Sequence, residues 1–235
     1  MNAKTAVVAL SLIAITGRLS AAQVATPARS GSAVGLAAMQ TRPLGALGEN
    51  IGTGYGIVGS FLLPLDRRGW LSLRAELGVA EYGHRSRRTA FSETVGGSVL
   101  VNVRTVNTMI PASVGMQVAL PAGPVRPYVN GGVGAQVFYT ESRVEPTSGG
   151  LALASTINQS DVALSWTWGG GLYVPLSVGS VHLLIDLGAQ YSQGGTAKYL
   201  APGSLVDLPG GGIAIAPLES STHILTWRLG ARMGL

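Results

Sequence analysis

The chain lacks cysteine altogether and is short of charge. Without cysteine there is no disulfide scaffold, no thiolate zinc site and no cysteine nucleophile. Charged residues make up 11% of the 235 positions, under half of the roughly 25% usual in soluble domains. Apolar residues stand at 46%, an ordinary share, so excess grease has not taken the place of the missing charge. Disorder needs high charge or low apolar content, and neither holds. No apolar run reaches the about 20 residues that a transmembrane helix needs. The 34 glycines follow no G-X-Y period, which excludes collagen. Three scattered histidines leave no dedicated metal site. H-E-x-x-H, P-loop and G-x-S-x-G patterns are absent, so the usual zinc, nucleotide and serine-hydrolase signatures are missing. No cofactor is implied.

The first residues read as a targeting segment. Lys4 precedes a ten-residue apolar run from Ala6 to Ile15, and Ser20-Ala21-Ala22 supplies small residues for a signal peptidase. A secretory signal over 1–22 is predicted, then a short periplasmic segment over 23–31 and one domain over 32–235. Losing Lys4 and Arg18 lowers the net charge from +5 to +3 and leaves Lys198 as the sole lysine. The basic balance is then a modest excess of arginine, not a nucleic-acid footprint.

What the chain does have is alternation of period two, the mark of strands with two unlike faces. In the C-terminal segment His223, Leu225, Trp227, Leu229, Ala231, Met233 and Leu235 share one face; Thr222, Thr226, Arg228, Gly230, Arg232 and Gly234 share the other, with Ile224 its large apolar exception. Seven more strands are predicted at about 32–41, 53–65, 70–82, 104–120, 125–140, 162–176 and 181–192. Their links alternate in length. Tight turns at 66–69, 121–124 and 177–180 are rich in Gly, Pro, Ser or Asp, while the links at 42–52, 84–100, 141–160 and 193–220 are long. A barrel crossing a bilayer accounts for both patterns, with short periplasmic turns, long outer loops and a closed sheet that leaves no backbone group unpaired in lipid. The predicted fold is all-β: an eight-stranded antiparallel up-and-down transmembrane β-barrel. Counted from the short-turn end, Tyr55, Trp166, Trp168, Tyr191 and Trp227 sit eight to ten residues up on the apolar face, as an aromatic girdle at the membrane interface does.

Three passages then resemble a known family. They are Met109-Ile110-Pro111 through Gly115 with Pro124-Val125-Arg126-Pro127-Tyr128-Val129-Asn130-Gly131-Gly132-Val133-Gly134, then Leu73-Arg74-Ala75-Glu76-Leu77-Gly78, and the C-terminal Arg228 to Leu235. The chain is similar to the small OmpX- and OmpW-like, porin-family β-barrels of the outer membrane of Gram-negative-type bacteria. In the last passage Arg228, Gly230, Met233 and Leu235 resemble the barrel-assembly signal, although the family usually ends in an aromatic residue. The resemblance implies an outer-membrane location and partners to match: outer-membrane lipids, lipopolysaccharide, and the barrel-assembly machinery during biogenesis. A monomer is expected.

Function has to be argued from a site. Arg74, Glu76, Asp186, Arg228 and Arg232 all fall on the inward face, with Arg126 and His182 near the lower rim. Eight strands enclose just enough room for side chains, and buried charges must pair, so an Arg–carboxylate network plugging the lumen is expected. Arg85, Arg87 and Arg88, placed in a solvated loop, are candidate contacts for lipopolysaccharide phosphates. His84-Arg85-Ser86 resembles the His–Ser pair of lipid A deacylases, but it lies elsewhere in the chain from theirs. A non-enzymatic structural or surface-interaction barrel is the expected function. A small pore or conduit for small or hydrophobic solutes is the alternative, and a lipid-modifying enzyme stands behind both. The last long link, where Ile213 and Ile215 alternate with alanine, is expected to extend strands seven and eight above the membrane as a hairpin.

Overall fold

A strand with one greasy face and one polar face must hide one of them, and a sheet that closes on itself does so for every strand at once. The computed structural model describes residues 31–90, 100–146, 154–178, 181–201, 205–208 and 212–235. The signal sequence expected over 1–22 and most of the 23–31 segment lie outside them. The strands are β1 (Ala33–Leu44), β2 (Gly54–Pro64), β3 (Leu71–Ala90), β4 (Leu100–Ala119), β5 (Arg126–Pro146), β6 (Ala154–Val178), β7 (Val181–Tyr199) and, after a small hairpin of β8 (Leu205–Leu208) and β9 (Gly212–Ile215), β10 (Leu218–Gly234). β1 to β7 and β10 form one closed, wholly antiparallel barrel, sealed by pairing of β1 with β10.

The register fixes the barrel's dimensions. A row of partners starting at Leu164 of β6 runs through Ala135, Ala112, Leu77, Gly59, Leu36, Ala231 and Ile185 and returns to β6 at Val174, ten residues lower. The shear is therefore ten over eight strands. With about 3.3 Å rise per residue and about 4.8 Å between strands, the strands tilt by about 41° and the backbone radius is about 8 Å. Each residue then adds about 2.5 Å of height.

The burial is inside out relative to a soluble domain. Leu164 is 78% exposed, and Leu36, Leu77, Val129, Leu187 and Leu229 also face outward, while Arg74 is only 3% exposed. On the lattice just derived, Tyr55, Trp166, Trp168, Tyr191 and Trp227 fall within about 8 Å of one another in height. Trp168 and Tyr191 pack with ring centroids 4.8 Å apart. From this level the outward face stays apolar down to Leu65, Trp70, Leu120 and Leu176, a band of about 25 Å that matches the apolar belt of transmembrane barrels.

Four features depart from the sequence reading. The strands are longer than expected: β3, β4, β5 and β6 run on through much of 84–100 and 141–160, because cross-strand pairing continues above the girdle. A short helix α1 (Gly45–Asn50) fills the first long link and buries Leu47 in the mouth. Ile224 is no anomaly, because it joins an inward apolar layer with Met39, Val58, Ala80, Tyr82, Met109, Phe138 and Tyr199. The last long link extends the neighbouring strands only part of the way, β7 as far as Tyr199 and β10 from Leu218. The β7–β10 ladder ends at Tyr199–Leu218, and β8 pairs only with β9 as a separate sheet, since the upper end of β7 turns inward to bury Tyr199 and Leu200.

The turns at the opposite end are tight. Asp66 organises the β2–β3 link: its carboxylate accepts the backbone N–H of Leu71 at 2.8 Å and of Arg68 at 3.1 Å. Gly69 follows at φ 74°, in the left-handed region that glycine tolerates best.

Candidate functional site: the lumen network

Arg74 and Glu76 are two residues apart on β3 and so share its inward face. Arg74 donates from Nη2 to Glu76 Oε1 at 2.6 Å and from Nη1 to Gln117 Oε1 at 2.5 Å and the Tyr173 hydroxyl at 3.1 Å. Arg228 reaches across from β10 and donates to the same Glu76 oxygen at 2.7 Å, to Gln190 Oε1 at 3.2 Å and to the Tyr128 hydroxyl at 3.1 Å. Asp186 on β7 accepts the Tyr128 hydroxyl at 2.7 Å and meets Arg232 at 3.5 Å and Arg74 at 3.9 Å. Tyr128 and Tyr173 stack at 4.3 Å, and the Arg232 guanidinium lies over the Tyr173 ring at 4.3 Å. Cations over aromatic faces gain most when desolvated, as here.

All five inward residues singled out in the sequence thus meet in one cluster spanning β3, β7 and β10. Four members were placed on inward faces but not singled out for the network: Tyr128, Tyr173, Gln117 and Gln190. Their signal was present, since each has inward parity on its strand, but parity alone does not say that two tyrosines from β5 and β6 will stack. The glycines around the cluster have mixed reasons. At Gly188 a Cβ would run into the Tyr128 hydroxyl and Arg228, and at Gly171 into Tyr128, so both make room for the network. Gly78 instead faces Met39, and Gly230 backs onto β1 at Leu36 and Ala37.

Three guanidinium groups face two carboxylates. In a medium where each charge is stripped of water, such a set holds only because every carboxylate is shared and neutral hydroxyl and amide oxygens take further guanidinium donors. The Nε atoms of Arg74, Arg228 and Arg232 are buried without a protein partner. A cavity of about 30 Å³ lies above the network, lined by Glu76, Arg228, Gln190, Ser113, Gln136, Ser165 and further residues. A smaller one of about 10 Å³ sits against Arg74, Ser113, Asn130 and Thr167. Both are water-sized spaces. Above them the apolar layer closes the mouth, with Phe138 packed against Tyr82 at 6.1 Å and Tyr199 at 6.0 Å.

The remaining sequence candidates lie apart. Arg85 is exposed and, with Arg87 and Arg88, belongs to the upper end of β3 rather than to a loop, because β4 pairs with this stretch as far as Ala90. Register sets Arg87 opposite Val103 and Arg88 opposite Asn102. His84 Nδ1 lies 3.0 Å from Glu81 Oε1 on the exposed wall. Of the assembly-signal residues, Arg228 is committed to the lumen while Met233 and Leu235 are exposed on the outer face. Arg126 donates to the Gly123 carbonyl at 3.4 Å near the lower rim, and His182 pairs with Ser177 at 3.0 Å. Among the described residues no three His, Asp or Glu side chains come together as a metal site would need.

Closed sheet, apolar belt and aromatic girdle define the class: an eight-stranded transmembrane β-barrel. No family model and no curated protein matches the chain. Solved structures do. Ail, the attachment invasion locus protein of Yersinia pestis, is similar at 14% identity and a TM-score of 0.42, over 87% of this chain and 99% of its own. Neisserial surface protein A follows at 13% and 0.41, over 88% and 98%. A major outer membrane protein from Thermus thermophilus stands at 13% and 0.39, over 86% and 99%.

Proposed function

We propose that this is an integral protein of the bacterial outer membrane, its lumen plugged by the Arg–carboxylate network, with a non-enzymatic structural or surface-interaction role. The observation that carries the reading is the inversion of the barrel wall: an exposed apolar band of about 25 Å rimmed by aromatics outside, and buried arginines paired with carboxylates within. Only a lipid solvent makes that distribution favourable over the whole circumference. The network and the apolar layer above it support a filled lumen, since the described cavities beside them are of water size.

The surface role falls to the upper wall. Arg42 is exposed on β1 one step above the girdle, and Arg85, Arg87 and Arg88 stand higher on β3. These arginines contact the phosphates of lipopolysaccharide by charge-assisted hydrogen bonds. The protein acts as a monomer and reaches the membrane through the barrel-assembly machinery, read from its last strand.

Two experiments test this. Expressed protein is expected in the outer-membrane fraction and to change apparent size in a gel on boiling; recovery from the soluble periplasm with no shift would end the membrane reading. Purified protein in planar bilayers is expected to give no steady discrete conductance, and such openings would overturn the plug in favour of a pore.

A further inference from the structure

The barrel does not end evenly at the top. β6 and β7 pair from Val178–Val181 up to Ser165–Gly194, and there the ladder stops among the described residues. Both strands continue. β6 rises as part of the outer wall with β5, while β7 carries on to Tyr199 paired only with β10. The two therefore diverge at Gly194-Gly195. The bend is built in: the β7–β10 register shifts between Ser221 and His223, and Thr222 at the shift is wholly buried. Thr222 Oγ1 donates to the Gly195 carbonyl at 3.0 Å, and a Cβ at Gly194 would run into that threonine. Only a glycine lets the strand pass so close.

Beyond the bend this two-stranded arm lies across the mouth. Ala197, Tyr199 and Leu200 are 1–2% exposed. Tyr199 seats against Phe138, and its hydroxyl meets Asn50 of α1 at 3.2 Å and Ser220 at 2.9 Å. On the wall side one carboxylate holds it: Asp161 of β6 accepts the backbone N–H of Lys198 at 2.7 Å, its other oxygen being taken by Val162 N–H at 2.8 Å. Below the arm lies the 30 Å³ chamber, lined by Ser113, Ser165, Thr167, Gln190, Ser192 and Thr226. Gln136 also lines it, 2% exposed and with both side-chain amide atoms unpartnered by protein. An unpaired buried amide is unfavourable and marks the chamber as a place for small hydrogen-bonding molecules.

We propose that the β7–β10 arm is a lid, hinged at Gly194-Gly195 and latched by Asp161, through which water and neutral hydrogen-bonding solutes no larger than two or three waters pass between the outer side and the polar lumen chamber. The ionic network floors the chamber, so the lid makes a closed receptacle, not a pore. The idea rests on the barrel fold alone and holds in detergent as in a membrane.

The absence of cysteine makes a clean test. Ser165→Cys in the full-length protein places a thiol on the chamber wall, and its reaction with methyl methanethiosulfonate is timed by mass spectrometry. Adding Asp161→Ala is expected to raise the rate about tenfold, the scale of one hydrogen bond to a charged group, while the gel shift on boiling stays intact. Tyr199→Ala, which empties the arm's seat in the mouth, is expected to raise it as well. Ser86→Cys, exposed on the wall, controls for reagent reactivity and is expected to show no change. Equal Ser165→Cys rates with and without the Asp161→Ala and Tyr199→Ala substitutions would overturn the lid. So would fast labelling of the parent by the bulky trimethylammonium reagent, which shows a mouth already open.

Discussion

Replacing Glu76 by alanine removes the one oxygen that Arg74 and Arg228 share, at 2.6 and 2.7 Å. Both arginines keep neutral partners, Gln117 and Tyr173 for the first, Gln190 and Tyr128 for the second. Three guanidinium groups then face Asp186 alone, and that carboxylate meets arginine only at 3.5 and 3.9 Å. Two charge-assisted bonds at about 1.5–3 kcal/mol each set the scale, and stranding a buried charge puts the expected loss at about 3–5 kcal/mol. Asp186→Ala breaks one short bond, from the Tyr128 hydroxyl, so its loss belongs at the lower end, about 3 kcal/mol. The assay is reversible guanidinium unfolding in phospholipid vesicles, followed by the fluorescence of Trp166, Trp168 and Trp227 as they leave lipid. The combined Arg74→Met, Glu76→Leu, Arg228→Met protein removes charges and partners together and is expected to recover most of the stability, since apolar replacement of a whole buried ion set is often neutral or better. A loss below about 1 kcal/mol for Glu76→Ala, the range of an exposed pair, would refute the reasoning.

Leu187 lies near mid-height on the outward face, so Leu187→Arg should reduce folding stability in vesicles by about 2–4 kcal/mol, against about 0–1 for Leu65→Arg at the lower rim; equal losses at the two depths would contradict the assigned belt. Asp66 is held below its ordinary carboxyl value of 3.8, first by the Leu71 backbone N–H. A folded value below the unfolded one means that the carboxylate stabilises above the unfolded value and that this contribution fades as pH falls through the folded one. Unfolding titrations between about pH 2 and 5 should therefore show a steeper acid loss for the parent than for Asp66→Asn, and parallel curves would remove Asp66 from the turn's energetics. Reversing the inner-outer contrast at Gln117 with Gln117→Leu should loosen Arg74 and Tyr173 together, lowering stability by about 1–3 kcal/mol in the same vesicle assay; no change would show that the amide is a bystander.

Much of the barrel was legible because a strand's period is two and lipid punishes any error in it. Leu225, Trp227 and Leu229 on one face and Arg228 and Arg232 on the other require a greasy outside and a charged inside wherever the neighbours lie. The alternation of short and long links then orders the strands without further information. Height was legible too, since residues counted from the tight turns placed Tyr55 and Trp166 near one level before any register was known. The upper wall was not. Above the dry layer His84, Arg85 and Ser86 are exposed on both faces of β3, the apolar–polar contrast fades, and His84 to Ala90 read as loop though paired strand.

Alternation by itself determined that a sheet must close with Arg74, Glu76, Asp186, Arg228 and Arg232 inside it, because a charge facing lipid has no compensating partner. It could not decide which charge meets which. That depends on the shear of ten, which carries Arg228 opposite Glu76 across 152 residues of chain, and on the close stacking of Tyr128 on Tyr173. Nor could it say that Tyr82, Phe138, Tyr199 and Ile224 form a dry layer above the ionic one: an inward apolar residue looks like a broken pattern until three other strands bring their own exceptions to the same height. Periodicity is a local property of one strand. The filling of a barrel with a backbone radius of about 8 Å is a property of eight strands at once, and only the closed barrel settles it.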